Sequence, residues 1–143
     1  MAVSYAAATK NNRLKMVFLA GAVTPAAGES VDSGAGVGVL VIGTSALSGA
    51  TGVIASIALQ KPSVTIVGGV ATIAGTPLSV AATGAGVAAK AEIRDSAGNV
   101  VVSGLTVGGV AEGTDAGKDI VLNAATIAVG ETVVLNSGTI THA

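Results

Sequence analysis

Few side chains in this 143-residue chain have types and spacing that could do chemistry. His142 is the single histidine, and a residue beside a chain end is rarely held within the tolerance a general base or metal ligand needs. It reads as a solvated residue. There is no cysteine, which removes thiol catalysis, disulfides and cysteine-ligated metal together. The eight carboxylates, Glu29, Asp32, Glu92, Asp95, Glu112, Asp115, Asp119 and Glu131, are scattered singly and are expected on loops and exposed strand faces. Only Asp115-Ala116-Gly117-Lys118-Asp119 brings two close, and it lacks the ligand series of a calcium loop, so it reads as a solvated turn. Gly34-Ala35-Gly36-Val37-Gly38 has neither the spacing nor the strand and helix that a dinucleotide-binding turn requires. No Gly-x-Ser-x-Gly elbow occurs, and one histidine makes a catalytic triad implausible. The chain is therefore expected to be no enzyme and to need no cofactor or metal.

Composition points to what the chain does instead. Half the residues are hydrophobic, yet there is one Phe, one Tyr and no Trp, so a core must come from small side chains and close backbone approach. Sheets tolerate this better than helix bundles. Charged residues make up 10%, against about 25% in an ordinary soluble domain, so uncharged strands would leave edges and apolar surface in need of cover. Protein partners are the expected cover. A net charge of −1 without a basic cluster gives no footprint for nucleic acid. Residues 33–60 and 62–89 carry no charge, but Gly, Ser, Thr and Pro break both stretches every few residues, which excludes a membrane-spanning helix. Lys10, Arg13 and Lys15 before Met16–Ala22 imitate a short signal peptide, although Tyr5 to Ala8 place apolar residues ahead of the charges.

The elements that would position any site are mostly strands. Lys90, Glu92 and Arg94 alternate with Ala89, Ala91 and Ile93, which predicts a strand with one charged and one apolar face. Asp95-Ser96-Ala97-Gly98-Asn99 supplies turn chemistry, and Val100 to Val107 returns as a β-branched strand. Further short strands are expected at 39–43, 52–59, 63–67, 69–74, 119–122 and 131–140. Ser4 can cap a helix from about Tyr5 to Ala20, with Leu14, Val17 and Phe18 in one apolar stripe and Gly21, Pro25 and Gly28 as stop signals. Residues 29–38 read as a loop or extended arm. The expected fold is mainly β: an antiparallel β-sandwich, jelly roll or small barrel of about eight short strands with one N-terminal helix. Residues 1–28 form the helix and arm, and 29–143 the β domain.

The Asn12-Arg13-Leu14 helix, the hairpin AEIRDSAGNVVVSGLTV and the closing GETVVLNSGTITHA resemble the small virion proteins of tailed bacteriophages that decorate the head as cement proteins. The resemblance covers about half of the chain, which is richer in Ala and Gly than that family. It implies a jelly roll or related sandwich, often a dimer or trimer, bound to the major capsid protein on the outer surface of the virion after synthesis in the host cytoplasm. The N-terminal segment is then the expected attachment element, with Arg13, Leu14, Val17 and Phe18 as candidate capsid contacts. The alternative is that the stripe packs across an open end of its own sandwich. A competing class is a secreted or surface-displayed β-sandwich, such as an adhesin or pilus-like subunit, which cleavage near Ala22 or Ala27 would support. A hydrolase or carbohydrate-binding module is weakened by the absent aromatic platform and carboxylate pair.

Overall fold

A computed structural model of the chain describes residues 6–19 and 30–141. Among them lie helix α1 (Ala7–Phe18) and strands β1 (Val39–Ser48), β2 (Thr51–Ala58), β3 (Val64–Val67), β4 (Val70–Ile73), β5 (Leu78–Ala81), β6 (Gly86–Val87), β7 (Lys90–Arg94), β8 (Val100–Gly109), β9 (Ile120–Leu122), β10 (Thr126–Ile127) and β11 (Thr132–Thr141). The protein is mainly β. All eight strands expected from the sequence are present; β5, β6 and β10 are additional.

Hydrogen bonds link nine strands, eight of them in the order β2-β1-β7-β8-β9-β11-β4-β3, with β5 also on β11, while β10 and β6 pair separately. One pairing corrects the antiparallel expectation. β8 and β9 run parallel, Val107 opposite Ile120, because the polar segment between them carries the chain back to the start of the next strand instead of turning it in a hairpin. The sheet also curls back on itself: the backbone N–H groups of Thr83 and Gly84, just past β5, both donate to the Ile54 carbonyl of β2, at 2.9 and 3.0 Å. Leu40, Ile42, Ile54, Ile93, Ile120, Leu122 and Leu135 fill the enclosed core.

The β7–β8 hairpin sits mid-sheet, and its turn works as its residues suggest. Asp95 Oδ1 accepts the N–H groups of Ala97 and Asn99 at 3.0 and 2.9 Å, and Gly98 adopts φ 91°, which a side chain would resist. The charged face of β7 is less exposed than expected. Val39 of β1 pairs with Arg94, and in a straight strand Gly49 would stand about 33 Å further along. Arg94 nevertheless donates to the Gly49 carbonyl at 2.7 Å. The β1–β2 hairpin must therefore bend, which it does at register shifts on either side of Gly43, and its tip folds toward Glu92 and Arg94. Covered in this way, Glu92 is buried and ion-paired to Arg94.

Helix α1 begins at Ala7 behind Ala6, which offers no side-chain cap; Ser4, the expected cap, and the stop signals Gly21, Pro25 and Gly28 lie outside the described residues. It ends at Phe18, where Leu19 turns extended, before any of those stop signals. With no acidic residue in its first turn and β-branched Thr9 and Val17 within it, the helix depends on packing for its stability. Asn11 Oδ1 accepts the Gly69 N–H at the β3–β4 turn at 2.7 Å, and Val31 and Asp32 donate their N–H groups to the Val17 and Phe18 carbonyls, both at 2.8 Å. Residues 30–33 are thus pinned and buried rather than a free arm.

Leu14 and Phe18 belong to the core, Phe18 at 0% exposure. Of the candidate contacts, Leu14 and Phe18 are therefore packed inside the chain itself, while Val17 is half-buried and Arg13 exposed. The helix is a wall of the β domain rather than an appendage to it. Phe18→Ala should accordingly cost about 3–5 kcal/mol in urea unfolding, whereas Met16→Ala, at a position 67% exposed, should stay within about 0.5 kcal/mol. Equal midpoints for the Phe18→Ala variant and the parent would remove the helix from the core.

Candidate functional site

The helix and sheet leave a shallow groove between them. Leu14, Val17 and Phe18 of α1 form one side; Val101 and Val102 of β8 with Ile140 and Thr141 of β11 form the other, around about 340 Å³ of open space. Each side chain is there for a local reason. Helical spacing aligns Leu14, Val17 and Phe18 on one face, and β8 and β11 bring their valines and Ile140 against the core edge. Three of the four candidate contacts line this groove, and Arg13 does not. Leu14 and Phe18 are its buried floor, while Val17, Val101, Val102 and Ile140 are half-buried and can touch something placed in it. Apart from Thr141 the described lining is apolar, so the groove can receive an apolar side chain.

Elsewhere the potentially reactive groups are dispersed. Among the described residues no three His, Cys, Asp or Glu side chains gather in one place. Asp119 Oδ2 accepts the backbone N–H and hydroxyl of Thr106 at 2.9 and 3.0 Å, so the carboxylate closing the 115–119 segment ties β8 instead of opening onto a calcium loop. The 34–38 glycine run is a loop whose Gly34 and Gly36 carbonyls accept the Lys61 ammonium. Its last member, Gly38, passes so close to Val31 and the Arg94 carbonyl that a Cβ would collide with them. His142 lies outside the described residues.

Sequence reasoning placed the eight carboxylates on loops and exposed strand faces, and the structure buries three of them. Asp32 and Asp95 are buried at 3% and 2% exposure, and Glu92 lies beneath the β1–β2 tip. An acidic residue among Gly and Ser looks like a solvated turn, and only tertiary neighbours reveal otherwise. No family model, curated protein or solved structure matches the chain.

Glu112 shows how an exposed carboxylate can act here. Its Oε2 accepts the Ala125 N–H at 2.8 Å and its Oε1 the Thr126 N–H at 3.0 Å, which ties the β8–β9 connection to the start of β10. These bonds, Ala125 first, hold its carboxyl below the ordinary glutamate value because they favour the charged form. A carboxyl lowered in the folded state stabilises the fold above its unfolded pKa, and that contribution disappears as pH falls through the folded pKa. In an NMR titration the Glu112 carboxyl should turn over below the pH of an ordinary glutamate, and the Ala125 and Thr126 amides should shift with the same midpoint. A midpoint at the ordinary glutamate value, or amides that do not follow it, would show that the tie is absent.

Proposed function

We propose that the protein is a non-catalytic structural subunit that binds the outer face of an icosahedral bacteriophage capsid and bridges neighbouring major capsid proteins, as a dimer or trimer. The observation that carries this reading is the apolar groove of Val17, Val101, Val102 and Ile140, a feature suited to holding a protein side chain and unsuited to chemistry. The resemblance of the Asn12-Arg13-Leu14 helix, the β7–β8 hairpin and the closing β11 segment to head decoration proteins supplies the identity of the partner. Low charge is consistent with it, because the surface of a chain with only 10% charged residues gains from being covered. The action is mechanical: a modest contact repeated over a closed shell adds resistance through multivalency.

Shells lacking the protein should bind it saturably and withstand heat or osmotic shock better once covered. Val101→Lys, which places a charge at the half-buried groove wall, should lower occupancy at least about tenfold while the protein still unfolds cooperatively. Undiminished occupancy by that variant would exclude the groove as the contact. Absence of the protein from purified particles would exclude the virion role.

A further inference from the structure

Behind the helix, loop 30–33 and the residue preceding β3 bury oxygen atoms that no protein group satisfies. Ser30 and Ser63 are fully buried and Asp32 nearly so. Asp32 Oδ2 accepts the Ser63 N–H at 3.0 Å, while Asp32 Oδ1, Ser30 Oγ and Ser63 Oγ have no hydrogen-bond partner. The three residues are neighbours by construction of the backbone. The Ser33 N–H closes a turn on the Ser30 carbonyl at 3.2 Å with Asp32 inside it, and the Asp32–Ser63 bond fastens that turn to the start of β3.

A buried carboxylate with a single neutral donor is expensive unless a cation or further donors compensate it. Two cations of the adjoining described segments are engaged elsewhere. Lys61 donates to the Gly34 and Gly36 carbonyls, and Arg94 to Glu92 and the Gly49 carbonyl. The Asp32 N–H is also spent, on the Phe18 carbonyl.

We propose that Ser30, Asp32 and Ser63 bind one hard cation through their side-chain oxygens. The donor set is one carboxylate and two hydroxyls without nitrogen or sulfur, which selects the sodium and calcium class over zinc or copper. Such an ion would neutralise Asp32, satisfy the hydroxyls and lock the 30–33 turn to both β3 and the end of α1. The site is distinct from the groove, and its existence does not depend on the proposed capsid role.

The test uses the full chain, stripped with chelator and exchanged into choline chloride. Calorimetric melting is then followed through separate CaCl2 and NaCl titrations, with ionic strength held constant by choline chloride. One of the two ions should raise Tm saturably, by about 5 °C or more at saturation, and the better ion identifies the cation. Isothermal titration calorimetry should give one site per chain. Asp32→Asn should abolish the response. Should that variant fail to fold, the Ser30→Ala, Ser63→Ala double variant keeps the carboxylate and should weaken apparent affinity at least tenfold. Equal melting in calcium, sodium and choline would overturn the proposal, as would a response that survives in the variants. A crystal grown in CaCl2 with a water in place of an ion between the three oxygens would overturn it too.

Discussion

The fold depends on the backbone ladder of β11. Its first residues, Thr132 to Leu135, pair with β5; Leu135 to Gly138 pair with β9; and Thr139 to Thr141 pair with β4. One ten-residue strand therefore joins three others that share no pairing among themselves. A register shift between Leu135 and Ser137 lets the strand change neighbours, and Gly138 leaves room where a Cβ would press into Ile73 of β4 and Ile120 of β9. In a chain with a single Phe and no Trp, large side chains cannot lock layers together. Continuous hydrogen bonding replaces them. The absence of a side chain at Gly138 is what allows two isoleucines from different strands to meet over β11.

Much of this was legible in the sequence, wherever the signal was local. The alternation in β7, the Asp95 turn and the β-branched return strand are local signals of a hairpin, and the structure has that hairpin, with Glu92 buried where the sequence placed an exposed face. β6 and β10 are two residues each, too short for any periodicity, and Leu78–Ala81 follows Pro77 in a stretch that reads equally well as loop. The parallel β8–β9 pairing was hidden because strand direction is decided by how the 110–119 segment folds, and Glu112 and Thr114 make that choice through bonds to Ala125, Thr126 and Gly109.

The groove was partly legible. Helical spacing identified Leu14, Val17 and Phe18 as one stripe, but spacing alone does not say whether a stripe faces the chain's own sheet or another molecule. The opposite wall comes from Val101, Val102 and Ile140, brought there by strands whose neighbours could not be read locally. The helix packs on β3 and β4, and Leu14 and Phe18 are buried within the chain.

Most of the acidic side chains share one task. Asp32, Asp95, Glu112, Asp119 and Glu131, five of the eight carboxylates, accept backbone N–H groups from Ser63, Ala97 and Asn99, Ala125 and Thr126, Thr106, and Ala128 respectively. Each bond closes a turn or ties one loop to another element. A chain of small side chains has no bulk with which to wedge its loops, and a carboxylate satisfying one or two N–H groups achieves the same constraint with few atoms. Of the five, Asp32 and Asp95 are buried, whereas Glu112 and Glu131 keep these bonds while exposed. Among the described residues Met16, Val37, Val67, Val87, Val100, Val110 and Val129 are the large hydrophobic side chains left exposed. Such a surface resists close approach by another protein only weakly, because there is little hydration to strip and few charges to bury. The same carboxylate bonds do for the loops what large side chains do in a chain richer in aromatics.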